Sequence, residues 1–95
     1  MNESNHSDAE LAELLTLTVG VDGWGAIRYR NHLGQLHRVL GPAVIHPNGT
    51  NEWWLNGQQH RTDGPAVERA NGAKMWYVNG RWVTKAEHKK LTYSV

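Results

Sequence analysis

Residues 34–56 read GQLHRVLGPAVIHPNGTNEWWLN, and residues 57–79 read GQQHRTDGPAVERANGAKMWYVN. Twelve of these 23 aligned positions are identical, and Trp54/Tyr77 and Leu55/Val78 are close replacements. Gly80 follows Gly57 by the same interval that separates Gly57 from Gly34, and it opens a further copy. A chain that repeats itself at this period is a row of supersecondary units. Each unit is too small to bury its own apolar face and must pack it against a neighbour.

The turns say what the unit is. Each block carries two Asn-Gly pairs: Asn48-Gly49 and Asn56-Gly57, then Asn71-Gly72 and Asn79-Gly80. Asn-Gly suits the type I′ hairpin turn, because both residues tolerate positive φ and the turn matches the twist of its strands. The runs between have strand composition: residues 52–55 and 75–78 of one kind, 58–61 and 65–69 of the other. Proline has no N–H for a ladder, so Gly41-Pro42 and Gly64-Pro65 mark a bend or bulge. The expected fold is mainly β: a single antiparallel meander of 23-residue hairpin repeats, about two strands each. Residues 27–30 and 34–38 read as the end of an earlier, degraded unit whose aromatic, Tyr29, is one residue out of register with Trp53.

The ends read as caps. Ser7-Asp8-Ala9-Glu10 and Thr84-Lys85-Ala86-Glu87 both have the form of a capping box. The first predicts a helix near 8–18 with Leu11, Leu14 and Leu15 on one face, and the second a short basic helix to about Leu91. Repeat stacks need distinct terminal elements to cover their open ends. The expected division is 1–22 for an acidic segment with its helix, 23–83 for the repeat sheet, and 84–95 for the basic helix and tail. Either helix could instead mediate dimerisation.

At 95 residues the chain is one domain with a thin core. It has no Cys, which excludes a disulfide scaffold and a thiolate metal site, yet it holds five Trp. Trp is costly to scatter over a surface, so these mark a core, a binding face, or both. Residues 1–22 carry five acidic side chains and no Lys or Arg. The remaining residues carry ten basic against four acidic, or +6. That imbalance fits a weakly basic face, or simply acidic residues at the start of a helix. No apolar run is long enough to span a membrane and no secretory segment is seen, so the chain is expected to be soluble and cytoplasmic.

Residues 53–67, W-W-L-N-G-Q-Q-H-R-T-D-G-P-A-V, and residues 76–81, W-Y-V-N-G-R, resemble MORN repeats. Those share this period, with an aromatic strand, an Asn-Gly turn and a second strand. The likeness covers about residues 24–83. It is closest to a divergent H-R-x-D-G-P-A form associated with small bacterial and bacteriophage proteins. The Tyr-x-Gly opening of the usual repeat is missing, with Trp53 and Trp76 standing there without the glycine. The resemblance implies a meandering sheet used as a scaffold or binding surface, and no reaction.

Several residues recur and so are candidates for the site. His37-Arg38 and His60-Arg61 are equivalent pairs. Two imidazoles without carboxylate or thiolate neighbours make a poor zinc site, and hydrogen bonds to a neighbouring turn explain them as well. Trp53 and Trp76 are each followed by a second aromatic, Trp54 and Tyr77, and adjacent strand residues face opposite sides. Trp53 and Trp76 are expected in the core. Trp54 and Tyr77 are expected on an open face with Arg38 and Arg61, or covered by a terminal helix. Asp63 before Gly-Pro is a turn residue, and no nucleophile, phosphate loop, metal or cofactor site is expected. The function classes left are a non-enzymatic protein-binding module, which in a phage would inhibit a host or defence factor in the host cytoplasm, and a small-ligand or nucleotide binder. The second would stack Trp on a base and hold phosphate with Arg28, Arg38 or Arg61. Nucleic acid is a weaker third. A homodimer is expected, with Leu11, Leu14 or Leu15 near its interface.

Overall fold

The computed structural model of the protein describes residues 16–93. Among these residues it is mainly β, with nine short strands and one complete helix. The strands are β1 (Thr18–Val21), β2 (Ile27–Arg30), β3 (Val44–Ile45), β4 (Asn51–Glu52), β5 (Trp54–Leu55), β6 (Gln58–Gln59), β7 (Val67–Glu68), β8 (Lys74–Val78) and β9 (Arg81–Val83). Helix α1 spans Lys85–Tyr93. Seven strands form an antiparallel sheet in the order β1-β2-β3-β4-β7-β8-β9, and β5 and β6 make a separate hairpin. The sheet is open, not a closed barrel.

The Asn-Gly pairs fold in two ways. Asn56-Gly57 and Asn79-Gly80 have both residues at positive φ, as a type I′ turn requires. At Asn48-Gly49 and Asn71-Gly72 only the glycine does. There Gly49 N–H donates to the His46 carbonyl and His46 N–H to that of Thr50, and Arg69, Gly72 and Ala73 repeat the pattern. This is the longer hairpin loop in which a left-handed glycine follows the turn. The expectation of four type I′ turns therefore holds for two. Residues 31–34 form the same longer loop, with Gly34 left-handed. That extra length absorbs the register offset of Tyr29.

The buried core is built from small side chains. Ala26, Ala43, Val44, Ala66, Val67 and Val83 are its apolar members. Tyr29 N–H donates to the Ala43 carbonyl and Trp53 N–H to the Ala66 carbonyl, so each alanine sits in the ladder beside the preceding aromatic. A larger side chain at these two fully covered sites would have no room. The expected core row, Trp53 and Trp76, is only half-buried, as are Trp54 and Tyr77. Thin sheets cannot enclose an indole on a face that has no second layer, so the tryptophans roof the core instead of filling it.

The C-terminal helix begins as its capping box requires. Glu87 N–H donates to Thr84 Oγ1 at 3.1 Å and Thr84 N–H to Glu87 Oε1 at 2.8 Å. These bonds to Thr84 hold the Glu87 carboxyl below its ordinary pKa. At the other end, Thr18 belongs to strand β1, not to a helix. Thr16 is helical and Leu17 is not, so the expected helix near 8–18 stops short of its expected end, and its residues 8–15, with Leu11, Leu14 and Leu15, lie outside the described residues. The sheet starts at Thr18, ahead of the expected boundary at position 23. No helix among the described residues is long and apolar enough to cross a membrane.

Candidate functional site

The sheet has two unlike faces. The cross-strand register pairs Arg28 with Val44, Val44 with Glu52, Glu52 with Val67 and Val67 with Met75, so these side chains share one face. Alternation along the strands places Trp54 and Tyr77 on that face, and Trp82, opposite Tyr77, joins them. Trp54 Nε1–H donates to Glu52 Oε1 at 2.9 Å, which secures the assignment. Trp53, Trp76 and the two arginines of the H-R pairs belong to the opposite face.

On that opposite face, cations lie over aromatic rings. Arg38 Cζ is 4.0 Å from the Tyr29 ring centroid, and Arg61 Cζ is 3.8 Å from that of Trp53. Lys85 Nζ is 5.9 Å from the Trp76 centroid. Each arginine also donates through Nη1 to the carbonyl of the following proline: Arg38 to Pro42 at 3.2 Å, Arg61 to Pro65 at 3.1 Å. Such a stack attracts the guanidinium to the ring face and shields the apolar floor beneath. It also explains the glycine of each G-P-A. A Cβ on Gly64 would stand 2.7 Å from Arg61 Cζ, although Gly64 has no positive φ. The glycine makes room for the cation and does not relieve a strained backbone.

The histidines beside these arginines serve the turns. Asn56 N–H donates to His37 Nδ1 and Asn79 N–H to His60 Nδ1, both at 2.9 Å. Each imidazole thus holds the first residue of the next type I′ turn, so His37 and His60 carry a structural bond whatever else they do. Burial first, and then the nearby His88, keep the His60 pKa below its ordinary value. Helix α1 closes this face at its end. His88 is 3% exposed, its ring lies 4.8 Å from that of Trp76, and its Nε2 is 2.5 Å from the Arg61 carbonyl. A carbonyl only accepts, so His88 Nε2 carries the proton.

The first face is not covered by α1. Across its hairpins stand three cross-strand pairs in equivalent places: Asp22 with Arg28, His46 with Glu52, and Arg69 with Met75. The Arg28 guanidinium holds the Asp22 carboxyl below the usual range. Between the second and third pairs is an open hollow of about 340 Å³, with Gln59 and Tyr77 also in its wall. Beside it Trp82 is 59% exposed.

The expected combined surface of Trp54, Tyr77, Arg38 and Arg61 is therefore divided. Trp54 and Tyr77 lie on one face, half-buried and not open, while Arg38 and Arg61 lie on the other. Of the three arginines considered for phosphate, Arg28 is paired with Asp22, and Arg61 with Asp63 and Glu68. Trp82 was not among the expected site residues. Its signal was present in the repeat, since Trp82 stands one full period after Gln59, an indole where the earlier unit has an amide. Among the described residues no three His, Asp or Glu side chains gather at metal-binding spacing. Comparison with protein-family models, with curated proteins and with solved structures finds no match.

Proposed function

We propose that this chain is a non-enzymatic binding protein, a MORN-like repeat sheet that engages another protein through the face bearing Trp54, Tyr77 and Trp82. The observation that carries this is the asymmetry of the faces. One is roofed by stacked cations and by α1, whereas the other keeps three aromatics beside a hollow rimmed by His46, Glu52 and Arg69. Aromatic side chains offer large contact area at low entropic cost, and a patch of them with a polar rim is the composition of an interface centre. In the setting the resemblance suggests, the partner is a host or defence factor and the chain its inhibitor. The hollow's rim holds both signs of charge, which suits a polar protein surface better than a polyanion. We further propose a homodimer as the assembly state, with β1 the element available to it. That strand ends the sheet among the described residues, and all four of its residues are exposed and uncharged.

The test is a Trp54→Ala, Tyr77→Ala, Trp82→Ala triple variant against a partner identified by cross-linking in cells. The variant is expected to stay folded and keep its oligomeric state while binding the purified partner at least about tenfold more weakly, a loss ordinary for two or three interface aromatics. Unchanged affinity would move the contact to the other face.

A further inference from the structure

Arg38 and Arg61 occupy equivalent positions of successive repeats and are anchored alike, each stacked on an aromatic ring and bonded to a proline carbonyl. They differ in charge balance. Arg61 Nε donates to Asp63 Oδ1 at 2.9 Å and its Nη1 to Glu68 Oε2 at 3.0 Å. In the first block Leu40 stands where Asp63 does, and Ile45 where Glu68 does. Among the described residues no carboxylate lies within ion-pair distance of Arg38, and its side chain donates to Pro42 alone. A guanidinium has five N–H donors, so most of those on Arg38 have no acceptor in the described chain.

Arg38 lines a cleft of about 410 Å³ between the two H-R loops, shared with Leu40, Trp53, Leu55, Arg61 and Asp63, whose carboxylate already accepts from Arg61 Nε. Leu40, at the Asp63 position, is 45% exposed. The cleft thus joins a ring-stacked cation, for which the described residues supply no carboxylate, to an aliphatic wall. We propose that it receives an acidic side chain of a partner protein, its carboxylate on Arg38 and a neighbouring aliphatic side chain on Leu40 and Leu55. Asp63 on Arg61 is the in-chain template for the first contact, a charge-assisted hydrogen bond to Nε. A free inorganic anion would leave the aliphatic wall unused, which is why a peptide is the better fit. Only the source of the carboxylate rests on the protein-binding reading. The anion site itself rests on the comparison of Arg38 with Arg61, and lies on the face away from Trp54, Tyr77 and Trp82.

The experiment titrates the full chain, at low ionic strength, with end-blocked glutamyl-leucine, glutaminyl-leucine and inorganic phosphate. Nitrogen-15 NMR reads the Nε–H signals of Arg38 and Arg61. Glutamyl-leucine is expected to move the Arg38 signal in a saturable way and leave Arg61 nearly still, while glutaminyl-leucine moves neither signal. Leu40→Asp supplies in the chain the carboxylate that Arg61 already has. It should weaken glutamyl-leucine binding by about tenfold or more, the worth of one charge-assisted bond, and raise the melting temperature. Leu40→Asn should bind nearly as the natural chain does. Equal responses of Arg38 and Arg61, or undiminished binding by Leu40→Asp, would overturn the site. Phosphate binding as tightly as glutamyl-leucine would overturn the peptide assignment in favour of a free oxyanion. The triple variant of the other face must give the same titration, so failure of one reading is told apart from failure of the other.

Discussion

The guanidinium carbon of Arg61 lies 3.8 Å from the centroid of the Trp53 ring, and on its other side it closes against Gly64. Arg38 repeats the arrangement with Tyr29 and Gly41, where an added Cβ would meet Arg38 Nη1 at 3.3 Å and not at 2.7 Å. Gly64→Ala should therefore destabilise the fold by about 1–3 kcal/mol, the usual cost of forcing extra volume into a filled space. Gly41→Ala should cost less. Urea denaturation of the two variants checks the order; equal losses would mean that the arginine moves aside freely.

Arg61 is the better anchored of the two arginines, with two carboxylates as well as the ring and the carbonyl. Arg61→Ala should cost about 2–4 kcal/mol, from the stacking, the hydrogen bonds and the unpaired Glu68 left behind. Arg61→Lys should recover only part, because an ammonium cannot lie flat on the indole and reach three acceptors. Arg38→Ala should cost less than Arg61→Ala. Equilibrium unfolding of the three variants measures this.

Trp76→Ala should cost about 2–4 kcal/mol, since the ring supports both Lys85 and the buried His88. Trp54→Ala, which removes one hydrogen bond and a half-covered ring, should cost about 1–2 kcal/mol. His88→Ala should release α1 while leaving the sheet. Loss of helical ellipticity with the tryptophan environment of β5 retained is the expected circular dichroism and fluorescence result.

Acid should weaken the fold through His60. Its folded pKa lies below the ordinary 6.5, chiefly through burial, so between the two values the unfolded chain binds more protons. Stability is then complete above about pH 6.5, falls as pH drops from there towards the folded pKa, and levels off below it. Protonation at Nδ1 also removes the acceptor for Asn79 N–H, a bond worth about 1 kcal/mol. Urea midpoints between pH 7.5 and 5, compared with those of His60→Ala, test the sign, and the variant should lose less on acidification.

The hairpin register was legible because turns are local. Asn56-Gly57 and Asn79-Gly80 adopt positive φ for reasons contained in two residues, and the Thr84–Glu87 box needs four. The bend at Gly-Pro was legible, but the reason for its glycine was not, because that reason is Arg61, three residues away in sequence but lodged against Gly64 only once Trp53 is beneath it. The site was half legible. The recurrence of His and Arg marked positions that the fold builds alike, each histidine on a turn and each arginine on a ring, and alternation separated Trp53 from Trp54.

Burial and charge balance were decided by the tertiary structure. Alternation along a strand says that two rows face apart, but not which layer, if any, lies over either. The core went to Ala43, Ala66, Val44 and Val67 because only small side chains fit under strands this closely laddered. Asp63 and Glu68 are two and seven residues from Arg61 in the chain, and it is the folded loop that brings both to one guanidinium. By itself, then, the sequence determined a row of hairpins and their turns, which follow from local backbone preference. Which arginine, among the described residues, meets carboxylates and which does not depends on distances that exist only after the loops close over the aromatic rings.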